Sequence, residues 1–426
     1  MYIMDAAGVL VSCSVGEKSR EVKCSGIILD GGWVITTGSV LSFAIQNQET
    51  DGIEIPWEHI FKKSYSESLI RIEKGLFQNS HIAFSVICNT LLDDEGKNRI
   101  SAKSDWKINP FVPVWKKIVK YIPKNQESRD MWNFRKSESY FATVSAQNMC
   151  QKSSDILKEY KASLRYVWRS SCMSEAIDTL LSSWLLGTTS SDKENNDVEA
   201  ESEIAKQLLP LLLIFKLDGN ESEGSDVILK MLHDLFVDKK DSLKRGRTVV
   251  VQSTPFGNPF FYNSISEGIV SNISGPKNCL ILTDARTAIG SEGGPIYAMS
   301  WRQNAILFPT HFLKITSLIN GEVKSDLVGM VICSLCWWKG EWVGFTLGVS
   351  LKSAVHDLLQ LDGTFQNIQT LMPSSNSIKE LGFLDECLVV VRCGHGWGSG
   401  VVIDSNKGVI LTCSHVVRKV CIPISF

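Results

Sequence analysis

The sequence has no apolar run long enough to cross a membrane. Its longest aliphatic and aromatic stretch, Leu208 to Phe215, is eight residues and contains Pro210, whereas a spanning helix needs roughly twenty. A soluble protein with no membrane partner is predicted. The N-terminus, Met1-Tyr2-Ile3-Met4-Asp5, lacks the basic stretch and long apolar core of a secretory signal. An excess of one charge is lacking too. The 44 basic and 46 acidic side chains leave a net charge of -2, and no Lys/Arg block forms a stripe for a polyanion, so no nucleic-acid partner is expected. A second Cys-x-x-C is also missing. Cys333 and Cys336 stand alone, and a structural zinc site needs a second pair of ligands. No metal and no cofactor are predicted.

Twelve cysteines are present, scattered from Cys13 to Cys421. Several, including Cys88, Cys333 and Cys413, fall inside β-patterned apolar runs. Without a secretory signal they read as free buried thiols rather than disulfides. The 44% apolar and 21% charged composition excludes a wholly disordered or fibrous chain, and 426 residues suggest two or three domains.

The first strand signals are Gly8 to Val15, Ser25 to Asp30 and, after Gly31-Gly32, Trp33 to Thr37. The phrase returns near the end as Leu388 to Cys393, Ser399 to Asp404 and Val409 to Cys413. SGIILD–GGWVITTGSV and SGVVIDSNKGVILTCSHVV share the Ser-Gly start, the Asp before the turn and the Thr that ends the third strand. The second turn is two residues longer. A repeat at this separation indicates two copies of one domain, because neighbouring solenoid units recur every 20–50 residues. The expected division is a first domain over 1–365 with an insertion around 90–245, a linker over 366–382, and the opening of a second copy over 383–426. Asp155 to Ser183 reads as helix. Ser190 to Glu203 and Asn220 to Asp226 read as polar surface loops. From Thr248 to about Ser350, turn residues every eight to twelve positions indicate an all-β barrel or sandwich.

His415 follows an apolar strand, Val409 to Cys413, after Gly398-Ser399-Gly400. A strand end fixes an imidazole at the rim of a cleft, where its near-neutral pKa suits a general base. Taken alone, a surface histidine at a strand end is the better reading. Its context decides. GSG-V-V-I-D…V-I-L-T-x-S-H-V-V resembles the catalytic-histidine segment of trypsin-like serine proteases of the Deg/HtrA type. The first copy carries further pieces in order. They are Arg245 to Val251, Thr254-Pro255-Phe256-Gly257-Asn258, Ser266-Glu267-Gly268-Ile269-Val270-Ser271, Thr283-Asp284-Ala285 and Gly290-Ser291-Glu292-Gly293-Gly294-Pro295. The last stands in place of the family's Gly-x-Ser-Gly-Gly-Pro loop.

That loop needs small residues so that backbone N–H groups converge on the developing oxyanion, and a serine in it becomes nucleophilic only when a histidine takes its proton. The resemblance puts Glu292 at the nucleophile position and Ser39 at the histidine position of the first copy. No aspartate stands on the strand expected to carry one, Pro210 to Leu217, and Asp226 is the only rival. The resemblance therefore implies a trypsin-like double β-barrel that has lost its chemistry, a pseudoprotease copy. Of the second triad only His415 lies within the sequence.

A tandem of inactive and active copies is similar to the peroxisomal leader-peptide-processing branch of this family. Cys24-Ser25-Gly26, Leu282 to Arg286 and Gly340 to Leu347 also resemble it. The branch implies a peroxisomal serine endopeptidase that removes leader peptides from imported proteins, processes fatty-acid β-oxidation enzymes, cleaves itself and forms homodimers. Its Ser-Lys-Leu-type targeting tripeptide does not match Ile424-Ser425-Phe426, and Arg418 to Phe426 matches no family phrase. The second copy is expected to be incomplete and inactive alone. The alternative implied by a dead first copy is a regulatory or dimerisation module. Cys88, Cys150 and Cys172 lie in or near the insertion, and none is singled out as a self-cleavage site. Trp337, Trp338 and Trp342 read as hairpin residues, and His81, His233, His311 and His356 as isolated side chains.

Overall fold

The computed structural model describes residues 7–15, 20–42, 57–67, 69–73, 76–77, 82–92, 98–100, 156–183, 203–218, 225–236, 243–300, 324–338, 341–361, 387–393 and 396–417. Two closed six-stranded antiparallel barrels account for most of these residues, the trypsin-like double barrel expected from the sequence.

The first barrel opens with β1 (Ala7–Val15), β2 (Arg20–Leu29) and β3 (Trp33–Thr37). Leu10 pairs with Ser25, and Ile27 with Ile35. The β2–β3 turn uses Gly31 and Gly32 at φ 71° and 75°, a conformation that glycine adopts without a Cβ penalty. After α1 (Trp57–Ser66) come β4 (Leu69–Arg71), β5 (Ile82–Leu92), β6 (Asn98–Ile100), β7 (Ile156–Arg169) and β8 (Leu211–Leu217). The barrel closes in the order β1-β2-β3-β8-β7-β5 and back to β1. β4 and β6 are appended at β7 and β5. Alternation sends Val9, Val11, Cys24, Ile28 and Val34 inward with Phe84, Val86, Leu213 and Phe215.

The second barrel consists of β9 (Thr248–Ser253), β10 (Ser264–Ser274), β11 (Leu280–Thr283), β12 (Pro295–Ser300), β13 (Lys324–Trp338) and β14 (Glu341–Ser350). It closes in the order β10-β11-β14-β13-β12-β9 around Val249, Val251, Val270, Ile281, Ile296 and Val331. Helix α2 (Ser171–Ser183) follows β7, α3 (Ser225–Phe236) follows β8, and α4 (Leu351–Leu361) closes the unit. The largest core lies between the barrels. The outward residues Ile27, Leu29, Trp33 and Ile35 of the first meet Met330, Ile332, Leu347 and Val349 of the second, and all three helices seal the gap. The repeated hairpin is therefore buried on both faces.

Two expectations change. The stretch from 156 to 169 is strand, and helix begins only at Ser171. Ala162, Leu164 and Tyr166 alternate as buried residues, and pairing with both β5 and β8 outweighs helical propensity. The region around 90–245 is also not simply an insertion, because β7 and β8 are two of the six strands of the first barrel. Asp226 lies in the first turn of α3, not on a strand. Most of the two polar runs, together with Cys150, His81, His311, Asp155, the 366–382 segment and Arg418 to Phe426, lies outside the described residues.

The repeat near the C-terminus folds as a separate sheet of β15 (Leu388–Cys393), β16 (Gly396–Asp404) and β17 (Val409–Thr412), followed by the short helix α5 (Ser414–Val417). The two copies agree down to one hydrogen bond. Thr36 Oγ1 donates to the Ser25 carbonyl at 2.6 Å, and Thr412 Oγ1 donates to the Ser399 carbonyl at 2.8 Å. They differ in cover. Val401, Ile403, Val409 and Leu411 correspond to Ile27, Leu29, Trp33 and Ile35, but are 40%, 61%, 41% and 62% exposed.

Asp357 of α4 ties the helical seal together. Its carboxylate accepts from Ser171 N at 3.0 Å, Ser171 Oγ at 2.7 Å and Cys172 N at 3.3 Å, capping α2, and from Lys277 Nζ at 2.9 Å. Burial alone would raise this carboxyl, but the hydrogen bonds and the Lys277 charge outweigh it and hold it below the usual aspartate range. A depressed folded-state pKa contributes stability above the unfolded value that disappears as pH falls through the folded one. Asp357→Ala is expected to cost about 3 kcal/mol near neutrality. Urea unfolding of wild type and variant should then converge below about pH 4, the ordinary aspartate value.

Candidate functional site: a trypsin-like loop closed by Glu292

The loop Gly290–Gly294 joins the second barrel to the first. Ser25, buried in β2, holds it. Ser25 N donates to the Gly290 carbonyl at 3.0 Å and Ser25 Oγ to the same oxygen at 2.9 Å, while Ser25 Oγ accepts from Thr254 N at 2.9 Å. Gly293 N donates to Val331 O at 2.8 Å, and Val331 N to Gly294 O at 2.8 Å. Gly293 sits at φ 85° against β2. A Cβ there would run into the Ser25 carbonyl and the Thr36 hydroxyl, so only glycine fits.

Glu292 turns back on this loop. Its Oε2 accepts from Gly290 N at 2.7 Å, and the carboxylate also accepts from its own backbone N–H. These two N–H groups are the pair that, by resemblance, would bind an oxyanion in an active relative. Here they hold a side chain of the same chain. Burial pushes the Glu292 carboxyl above the usual glutamate range, against the opposing pull of the two N–H donors.

The other expected positions fit the same picture. Ser39 lies half-buried in the short turn Gly38–Leu41 that follows β3. The sequence left the place of the aspartate open between the Pro210 to Leu217 strand and Asp226. The structure puts Leu211 beside the turn, since a Cβ on Gly38 would be 2.9 Å from Leu211 Cβ. Leu211 is fully buried and Thr37 pairs with Leu212. By resemblance, Glu292, Ser39 and Leu211 would stand where acyl transfer needs a nucleophile, a base and a carboxylate to orient it. Sequence reading missed Ser25, Thr36 and Leu211. The shared Ser-Gly and Thr of the two copies were the available signal for the first two.

His415 lies in α5, immediately after the β17 strand end, at the place equivalent to Ser39, and its side chain lies outside the described ones. Val416 beside it is buried over Gly398, where a Cβ would collide with the Val416 methyls. Trp337 pairs with Trp342, and Trp338 with Glu341, across the β13–β14 hairpin. Cys88 and Cys172 are buried in β5 and α2, positions closed to a protease. His356 is lowered by burial first and by Lys277 second. Among the described residues no helix is long and apolar enough to cross a membrane.

A carboxyl whose folded pKa is raised contributes stability at low pH that is lost as pH rises. Wild type should lose stability relative to Glu292→Gln as pH rises above about 4, the ordinary glutamate value, as followed by denaturant midpoints. Gly293→Ala should lower the midpoint at every pH by about 3 kcal/mol or more, for backbone strain and the collision with β2.

No protein-family model matches the chain. Two curated proteins do. The human protein named peroxisomal leader peptide-processing protease is 30% identical over 240 residues, covering 53% of this chain and 38% of that protein. The mouse protein of the same name is 30% identical over 190 residues, covering 41% of this chain and 29% of that protein. A solved structure titled scabies mite inactivated protease paralogue S-I1 covers 83% of this chain and 93% of its own, with TM-score 0.30 and 10% identity, values that carry no argument. The chain is thus a homologue of peroxisomal leader peptide-processing proteases over part of its length, and it spans less than two-fifths of the length of either relative.

Proposed function

We propose that this protein acts in peroxisomal leader-peptide processing, with the barrel pair over residues 7–361 serving as a non-catalytic partner domain and the 388–417 repeat carrying the catalytic histidine. The observation that carries the first half is the Glu292 carboxylate lying on both backbone donors of its loop, with Ser39 and Leu211 in place of a base and its carboxylate. Acyl transfer is the reaction class. His415 takes the proton from a serine hydroxyl and returns it to the leaving amine. The sequence contains no Gly-x-Ser-Gly-Gly-Pro loop, and on this reading the 426 residues alone are expected to show no endopeptidase activity.

The substrates on this reading are leader-bearing proteins imported into peroxisomes, a choice that the relatives' names support, and the family resemblance adds β-oxidation enzymes to them. Self-cleavage and homodimerisation belong to the same proposal, with the barrel pair as the dimerising part. A barrel pair of this kind positions or regulates a catalytic unit through its surface, since its own cleft is closed.

Purified 426-residue protein should give no labelling with a fluorophosphonate serine-hydrolase probe. Glu292→Ser should stay unlabelled as well, because a new hydroxyl at 292 finds no imidazole at 39. Labelling of either protein, lost on heat denaturation, would overturn the non-catalytic reading. Sedimentation as a monomer at micromolar concentration would remove the homodimer from it.

A further inference from the structure

The nine cysteines whose side chains are described are free thiols, five of them buried. Two of the buried ones meet. Cys172 is the second residue of α2, on the side of the first barrel, and Cys279 leads into β11 of the second. The Cys279 thiol donates to the Cys172 carbonyl at 3.3 Å, and each thiol shifts the titration of the other. The Ser170 hydroxyl lies 3.1 Å from Cys172 Sγ. Both residues belong to the core between the barrels, and their neighbours Ser171 and Lys277 are exposed.

From this juxtaposition we propose that Cys172 and Cys279 form a redox-sensitive pair that hydroperoxides convert to a disulfide latching the two barrels together. Cys172 is the attacking thiol. It stands at a helix N-terminus, and the contact with Cys279 lowers it first, with Ser170 and Lys277 adding to that against burial and Asp357. The same contact raises Cys279, which keeps its proton. Burial pushes Cys13 and Cys24 up to about 12, in Cys24 against the pull of a hydrogen bond with Thr36.

The Cys172 thiolate attacks one peroxide oxygen, the O–O bond breaks, and hydroxide leaves to become water. The sulfenic acid formed at Cys172 is then attacked by the Cys279 sulfur. The S–O bond breaks, and the hydroxide departs with the Cys279 proton as a second water. Two thiols lose two electrons, and one peroxide becomes two waters. Because the two cysteines are 107 residues apart in sequence, the bond closes a long loop and restricts the unfolded chain strongly.

The test is graded hydrogen peroxide on the full 426-residue protein, followed by denaturation, alkylation and peptide mapping. The expected product is a linked pair of peptides carrying Cys172 and Cys279, two hydrogens lighter than the reduced pair. Cys13 and Cys24 should stay alkylatable, and the thermal midpoint should rise by about 5 °C and fall back under reductant. In Cys279→Ser, dimedone should trap a sulfenic acid at Cys172. Should that variant fail to fold, the wild-type map alone decides. Recovery of both thiols in reduced form at peroxide levels that fully oxidise the exposed Cys413 would overturn the proposal. So would a sulfinic acid on Cys172 with Cys279 left free.

Discussion

One buried serine side chain joins the two halves of this molecule at its most informative point. Ser25 sits in the repeated hairpin of the first barrel and takes hold of the second barrel through Gly290 and Thr254. Its carbonyl is occupied by Thr36. Each of these groups is shielded from water, so each bond removed would leave a polar atom unpaired. The consequence is a loop with little freedom. Gly293 presses against β2, Gly294 pairs with Val331, and Glu292 closes on its own backbone. The loop is held by groups of both barrels, and its Gly290 N–H is taken up by the chain's own Glu292 carboxylate.

Holding the loop in this way has a physical reason. The β2–β3 hairpin is covered by the first barrel's interior on one side and by the inter-barrel core on the other. Loosening the loop would open the seam that buries Ile27, Leu29, Trp33 and Ile35. The second copy illustrates the point. It repeats the pairing at Val401–Leu411 and Val402–Ile410, with a bulge before Asp404–Val409, and has the same Thr-to-Ser hydrogen bond, yet its equivalent apolar face is exposed among the described residues. Local sequence is sufficient for the hairpin, and the cover must come from elsewhere. Helix α2 and Asp357 make the first copy's cover, and the Cys172–Cys279 contact lies within it.

Much of this was legible beforehand. Alternation and turn residues located β3 and β15 to the residue, and the repeat identified two copies. The family resemblance assigned Glu292 and Ser39 their places. What was not legible depends on contacts remote in sequence. The strand from 156 to 169 carries Lys, Glu, Ala and Leu, which suit a helix, and becomes strand only because β5 and β8 flank it. Leu211 could not be distinguished from its apolar neighbours, because its role follows from lying beside Gly38. That Glu292 fills the loop's donors depends on a side-chain rotation that no motif encodes.

The central claim is that the Glu292 carboxylate occupies the Gly290 and Glu292 N–H groups. Amide NMR of the labelled protein across pH tests it most directly. The account predicts that the Gly290 and Glu292 amide protons are protected from exchange and titrate together, with a midpoint above the ordinary glutamate value, and that the titration vanishes in Glu292→Gln. Fast-exchanging Gly290 and Glu292 amides with no such titration would contradict it.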